Sequence, residues 1–243
     1  MKTMKHTLYA AIMTLSIAGC SEIGPSVNPS PGVPASIQVS VVTTDGNDTK
    51  GFITGNSLNE GDRIGLTLCD ESGTLYHGTQ YENICYSATG EGANQRWEGK
   101  TSIMVSNVHG TLYGYYPYSS DVQDIREVPV SVASQTDYLY ATPATNLTKS
   151  NNQARLAMKH ALAALRLSVS RGTYSGEGII SAASVRGERI PSSAILNART
   201  GVLSGYEDYD KVIATSASDM ALNSDNCHVD ILVIPEGDVP KDV

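Results

Sequence analysis

The chain has 243 residues, of which 17% are charged and 40% are hydrophobic, so it is long enough for one large domain or two small ones and has the apolar content to form a core. The formal net charge is −8 and there is no long basic run, which excludes the nucleic-acid-binding class. Tyrosine dominates the aromatic residues, with 13 copies against one Phe and one Trp. This composition favours an extracellular β protein over a cytosolic enzyme.

The N-terminal residues are typical of a bacterial export signal. Two lysines precede an apolar run over residues 8–18, which is about half of the ~20 residues that span a bilayer and so is too short to be a membrane anchor by itself. Residues 15–20 read LSIAGC and resemble the lipobox of bacterial lipoproteins. The resemblance implies that residues 1–19 are removed and that Cys20 carries lipid, whose acyl chains anchor the protein at ~0.8 kcal/mol per buried CH₂ group. The alternative is an ordinary secretory signal.

Residues 20–35 are predicted to form a tether, because their four prolines favour an extended, non-helical backbone. The body that follows contains short segments of alternating apolar and polar residues separated by turn-forming residues, a pattern that predicts an all-β fold built as sandwiches. The predicted strands span residues 36–43, 61–68, 101–108, 110–116, 127–133, 137–141, 178–185, 194–198, 212–216 and 229–234. Residues 153–170 fit either a helical face or a strand, and we interpret them as a short helical turn or none, leading into a strand.

A polar stretch at residues 148–153 predicts a boundary within the body. It would separate an N-terminal β-sandwich domain at residues 36–150 from a C-terminal β-sandwich domain at residues 151–243.

The sequence carries no motif typical of catalysis or of a cofactor site. No two of its five histidines lie within one helical turn, and it has no GxSxG, Walker or dinucleotide-binding motif. Asp121, Asp124 and Glu127 could act as paired carboxylates, but any acidic loop offers as much. We therefore predict a protein that is not an enzyme and has no cofactor and no metal.

Cys69, Cys85 and Cys227 have no metal-ligand spacing, so either a Cys69–Cys85 bridge or buried free thiols fit the sequence. His160 lies between apolar residues, which is typical of a hydrogen-bonded core histidine.

Four tyrosines lie close together at positions 113, 115, 116 and 118. They fit either a platform for sugars or a partner, or packing of the core and rim, and we favour packing.

Several short motifs along the body follow the order found in one family. They are GDRIGL (61–66), YEN (81–83), Trp97, LYGYYPY (112–118), DYLY (137–140), MKHAL (158–162), YSG (174–176) and LVIP (232–235). In this order behind a lipobox, the chain resembles the fimbrillin family of the Bacteroidales, the subunits of type V pili, from about residue 36 to its end. The resemblance implies two β-sandwich (transthyretin-like) domains in series.

The resemblance also implies an assembly mechanism. The precursor reaches the outer membrane as a lipoprotein, a trypsin-like surface protease cuts behind the first strand, and a strand of the next subunit fills the groove that opens. Lys50 is the only basic residue between Cys20 and Arg63 and follows the predicted strand 36–43 in a turn, so it is the candidate processing site. The alternative is that Lys50 is a solvated lysine of this turn with no role in processing.

The chain departs from the family pattern in two respects. The family usually has Arg at the processing site, so an Arg-specific protease would leave Lys50 intact and the protein would stay at the membrane as an anchor. Pilins of the family also run further at the C-terminus, so the second domain is expected to be short or incomplete.

The expected function is that of a structural and adhesive subunit of a cell-surface fimbrium. Its expected partners are other pilus subunits, through β-strand addition, and the outer membrane, through lipid on Cys20. The alternative is a surface lipoprotein that binds glycan or host protein without polymerising.

Overall fold

The structure is a computed structural model that describes residues 33–44, 58–90, 94–222 and 227–236. The predicted signal peptide, Cys20 and Lys50 lie outside these residues, and so does most of the predicted tether. Within them the chain is all-β, as predicted, with one short 3-10 helix, η1 (Gly78–Tyr81). No helix in this described part is long and apolar enough to span a membrane.

The strands of the described residues are short and follow one another closely along the chain. In chain order they are β1 (Ala35–Ser36), β2 (Gln38–Thr43), β3 (Arg63–Asp70), β4 (Ile84–Thr89), β5 (Arg96–Gly99), β6 (Met104–Val105), β7 (Gly110–Tyr116), β8 (Val128–Ser131), β9 (Leu139–Thr142), β10 (Ala144–Leu147), β11 (Gln153–His160), β12 (Ala163–Val169), β13 (Ile179–Val185), β14 (Ser193–Asn197), β15 (Val202–Glu207), β16 (Ile213–Ala221) and β17 (Cys227–Val233).

Seven strands form a closed ring of β-sheet in the order β7, β3, β4, β5, β2, β11 and β9, with β9 pairing back to β7. The edge of β7 that faces away from β3 is divided between two strands, β9 and β10, and its pairing with β9 closes the ring. Its C-terminal part pairs with β9, as Tyr115 with Tyr140, and its N-terminal part pairs with β10, as Leu112 with Ala144. The neighbours around the ring are antiparallel except for β2 and β11, which are parallel.

The interior of the ring is a continuous apolar core. Ile64, Leu66 and Leu68 of β3 are fully buried, and they belong to the same cluster as Leu112 of β7 and Leu156 of β11. Burying side chains of this size stabilises the fold by about 1.5–3 kcal/mol each. The ring is therefore the main stabilising unit of this part of the chain. β11 alternates between buried and less buried residues, whereas β3 is buried on both faces from Ile64 to Cys69.

A second apolar core lies between smaller sheets, namely β15–β14–β8, β12–β17 and β13–β16. Its buried members include Val128 and Val130 of β8, Leu196 of β14 and Ile231 of β17. Strand pairings cross the predicted boundary near residue 150 in both directions, because β8 pairs with β14 while β11 belongs to the ring. The division into domains at residues 36–150 and 151–243 stays a prediction.

The ambiguous stretch at residues 153–170 forms two strands, β11 and β12, with no helical turn between them. Ala154 and Met158 have helical spacing, yet both are buried along with Leu156, in the two-residue alternation of a strand. The pairings of β11 with β2 and β9 select the strand, because tertiary contacts override local helix propensity.

Candidate functional site: the groove that holds the first long strand

The strand β2 has one face in the core of the ring and one face in solvent. Ile37 and Val41 are 4% and 7% exposed, whereas Gln38 and Ser40 are exposed. Successive side chains of a strand point to opposite faces, so residues 37, 39, 41 and 43 form the inward row. All four are β-branched, which suits them to a strand.

One neighbour holds β2 along its whole length. In the parallel pairing with β11, six register pairs run from Gln38 with Gln153 to Thr43 with Met158. Hydrogen bonds continue the contact beyond both ends of β2. Gln38 N donates to Asn152 O at 2.8 Å, and Thr44 N donates to Met158 O at 2.9 Å.

The other neighbour holds β2 at one point. Val39 with Trp97 is the single register pair between β2 and β5 in the described structure. On the N-terminal side of Val39, β2 and the segment after β5 separate. Their pairing resumes where Ile37 N donates to Ile103 O at 2.8 Å and Ser36 pairs with Met104. The groove therefore binds β2 through many backbone contacts on the β11 side and few on the β5 side.

A cavity of about 610 Å³ lies where β2 and β5 separate. Between the contacts at positions 37 and 39, β2 advances by two residues. The opposite side runs from 103 back to 97, which is four residues more than the pairing with β2 needs. We call residues 98–102 the bulge loop, and its first two residues, Glu98 and Gly99, are the end of β5 and pair with β4. The cavity is lined by Ser36, Ile37, Gln38, Val39, Tyr86, Gln95, Arg96, Trp97, Glu98, Gly99 and Ser102.

Tyr86 of β4 positions both ends of the bulge loop. Its hydroxyl oxygen accepts a hydrogen bond from Ile103 N at 3.2 Å. Its ring packs against Gly99, where an added Cβ would lie 2.6 Å from Cε2 of the ring, so only glycine fits there. Burial raises the pKa of Tyr86, which keeps the phenol neutral as a hydrogen-bonding group.

The tyrosine cluster that the sequence singles out packs against the protein. Tyr115 is fully buried, and its hydroxyl donates to Asn83 Oδ1 at 2.9 Å. Tyr113, Tyr116 and Tyr118 are half-buried, and Tyr113 faces the Arg199 guanidinium at 5.1 Å from the ring centroid. This arrangement agrees with the packing interpretation rather than with an exposed platform for sugars.

His160 is a core residue, as the sequence predicts. Its Nδ1 lies 2.9 Å from Asp137 Oδ2, and the two side chains are 7% and 3% exposed. The hydrogen bond joins the end of β11 to the segment before β9, so this histidine supports the ring.

Cys69, Cys85 and Cys227 are free thiols, so the Cys69–Cys85 bridge considered from the sequence is wrong. Burial raises the pKa of the Cys69 thiol, although the nearby Arg199 guanidinium opposes this shift.

Asp124, one of the acidic residues considered as a catalytic pair, has another partner. Hydrogen bonds from Arg126 lower the pKa of Asp124, which identifies this carboxylate as half of a local ion pair. Among the described residues, no group of three or more His, Cys, Asp and Glu side chains could hold a metal ion.

Two strands that build the groove were missed in the sequence analysis, namely β4 and β5. In β4, Tyr86 and Ala88 are buried and alternate with less buried residues, which is a two-residue period that could have revealed it. In β5 only Trp97 is buried among four residues, which is too short a pattern to detect.

Most of the chain matches a known protein family. Residues 49–242 match the fimbrillin-like family. The match begins after β2, so β2 lies outside the matched residues. No curated protein matches the sequence.

Two solved structures share the fold. A candidate cell adhesion protein from Bacteroides uniformis is 18% identical, with a TM-score of 0.58, over 85% of this chain and 76% of that chain. A candidate cell adhesion protein from Bacteroides ovatus is also 18% identical, with a TM-score of 0.57, over 84% of this chain and 79% of that chain. At this identity the likeness concerns the fold.

Proposed function

We propose that this chain, which belongs to the fimbrillin-like family, is a structural subunit of a cell-surface fimbrium. The family match supports the proposal, and so does the shared fold of the two candidate cell adhesion proteins from Bacteroides. The role is structural and adhesive, without a catalytic step. The body would comprise two sandwich domains in series, divided near residue 150.

The subunit is proposed to be exported as a lipoprotein and to reach the outer membrane through lipid on Cys20. The LSIAGC sequence supports this step, and the proline-rich residues after it would hold the folded body away from the membrane.

Assembly is proposed to occur by exchange of β2 for a strand of another subunit. The observation that carries this proposal is the position of β2, which is the first long described strand and lies between two other strands of the ring. Its removal would uncover the groove that holds Ile37 and Val41 and would leave β5 and β11 with unpaired edges. Such an edge binds an extended strand through backbone hydrogen bonds, while pockets for alternate side chains provide specificity.

The proposed trigger is cleavage after Lys50, which would turn β2 into a separate, non-covalently held strand. The test is to isolate the protein from its native cell surface and to determine its N-terminal peptide and assembly size by mass spectrometry. We expect an N-terminus at Gly51 and high-mass ladders that resist mild denaturant.

The variant Lys50→Gln should block processing and leave monomers, whereas Lys50→Arg should preserve it. Lys211→Gln is the matched control, because Lys211 is an exposed lysine between β15 and β16 that does not line the cavity beside β2. A lipid-modified Cys20 peptide that continues through Lys50 in a monomeric protein would contradict the exchange mechanism. That result would leave the role of an uncut anchor.

A second function is supported by the closure of the ring. Among the described residues the ring is closed while β2 stays in place, because β9 pairs back to β7. A ring that stays closed fits a surface lipoprotein that binds glycan or host protein and never polymerises. The isolation experiment separates the two functions, because only exchange yields ladders.

A further inference from the structure

We propose that the cavity between β2 and the bulge loop is where the incoming strand of another subunit first pairs, so that β2 is replaced from its β5 side towards β11. This inference rests on the exchange mechanism proposed above and adds the place and direction of insertion. It identifies the partner as an extended strand whose direction and side-chain pattern the groove determines.

The unequal pairing of β2 gives the first argument. Six register pairs hold β2 to β11, but a single pair holds it to β5. A strand that approaches from the β11 side would have to break the continuous pairing before it could form any of its own. A strand that approaches from the β5 side can occupy space where the two strands have already separated.

The size of the cavity gives the second argument. The β5 side carries four residues more than the pairing needs, and the edge of β2 between its contacts at Ile37 and Val39 spans two residues, or about 6.6 Å at ~3.3 Å per residue. The cavity of about 610 Å³ lies directly between the edges of β2 and β5. It therefore offers room for a short length of extended chain to pair before β2 leaves.

The direction of the incoming strand follows from the pairing of β2 itself. A strand that pairs antiparallel to β5, as β2 does, is automatically parallel to β11. It can then continue into the place of β2 without turning round. Its inward positions must match the row that begins with Ile37 and Val39, so the partner is expected to carry β-branched apolar residues at alternate positions and polar residues between them.

The site carries few charges. Arg96 and Glu98 line the cavity and are exposed, and the bulge loop adds one exposed lysine, Lys100. Backbone pairing and side-chain shape therefore contribute most to the selection of the incoming strand.

The test uses the full chain with a specific protease site inserted beside Lys50, so that one cut makes β2 a non-covalent strand. A fluorescent peptide of residues 36–44, SIQVSVVTT, then serves as the incoming strand, and its uptake is followed by fluorescence anisotropy. Glu98→Trp fills the cavity on the β5 side. Arg155→Trp is the matched control, because Arg155 is an exposed residue on β11 and lies opposite Ser40 across the other edge of β2.

We expect Glu98→Trp to slow uptake at least about tenfold, which corresponds to about 1.4 kcal/mol in the barrier, and Arg155→Trp to leave the rate unchanged. Glu98→Ala should keep the rate or increase it, and thermal melts should show that all three variants are folded. Equal rates for the two tryptophan variants, or slower uptake by Arg155→Trp, would overturn the inference while exchange itself stands. If the cut wild-type protein takes up no peptide, the exchange mechanism fails and the insertion site fails with it.

Discussion

Individual side chains in the ring are positioned by close contacts that leave little freedom for substitution. At Gly65 of β3, an added Cβ would lie 2.2 Å from Cε1 of Tyr115 and 2.7 Å from Asn83 Oδ1. Only glycine lets the Tyr115 ring lie across β3 and reach Asn83, which in turn donates from Nδ2 to Ser119 O and Val122 O. The tyrosine is thus part of a buried polar network, whose members depend on one another.

The raised pKa values of Tyr115 and Tyr116 make the stability of the fold depend on pH in the alkaline range. Burial raises the pKa of Tyr115 to about 12, and burial together with Asp62 raises the pKa of Tyr116 to about 12, against an ordinary value of 10. Between pH 10 and pH 12 the folded state therefore retains protons that the unfolded state has lost, so the free energy of unfolding should fall as pH rises through this range.

Urea unfolding at a series of pH values measures this effect, and below pH 10 these two groups should contribute no pH dependence. Tyr115→Phe removes one of the groups and should flatten the alkaline decline. A decline of the same steepness in this variant would mean that another group is responsible.

The strand β2 is the element whose attachment decides between exchange and permanent closure. Its outward-facing Ser40 lies opposite Arg155 of β11, and both residues are exposed. Neighbouring strands lie about 4.8 Å apart, which is within the range of Cα separations that a disulfide bridges. The pair Ser40→Cys and Arg155→Cys should therefore form a bridge that holds β2 in place.

We expect the bridged chain to remain monomeric after cleavage beside Lys50, and to assemble once a reducing agent opens the bridge. The single variant Ser40→Cys is the control for the added thiol. Size-exclusion chromatography before and after reduction gives the result, and assembly of the bridged chain at the rate of the reduced chain would contradict the release of β2.

The whole molecule depends on contacts that join its two apolar cores. Arg199, in the turn between β14 and β15, donates from Nη1 to Gly73 O and from Nη2 to Cys69 Sγ, each at 3.0 Å, and its guanidinium faces the Tyr113 ring. Gly201, two residues after Arg199 in the same turn, packs closely against the Tyr140 ring. An added Cβ at Gly201 would lie 2.1 Å from Cζ of that ring. These contacts connect the second core to β3, β7 and β9 of the ring.

Arg199→Ala should lower the free energy of unfolding by about 1.5–3 kcal/mol, because hydrogen bonds to a charged donor are lost. Arg166→Ala is the matched control, since the pair of Arg166 and Asp230 is partly exposed and lies within the β12–β17 pairing. Denaturant unfolding of the two variants measures the loss. An equal loss in the two variants would show that the contacts of Arg199 do not couple the cores.

Local patterns in the sequence determined which residues form most of the strands. The two-residue alternation at positions 36–43 and the apolar run at 110–116 identify β2 and β7 without reference to the rest of the chain, because side-chain direction in a strand depends only on position parity. The order of motifs from GDRIGL to LVIP was sufficient to identify the fimbrillin-like family, which the match over residues 49–242 confirms.

Only the tertiary structure decided how those strands are arranged. Ser40 Oγ donates to Ala154 O across 114 positions of the sequence, and no local pattern encodes which distant strand will lie beside β2 or in which direction. The same holds for the closed ring, the bulge loop and the cavity beside Val39, since each results from a register between segments that meet only after folding. Side-chain alternation specifies the face that a strand buries, whereas the choice of its neighbours depends on how all the strands fill one core together.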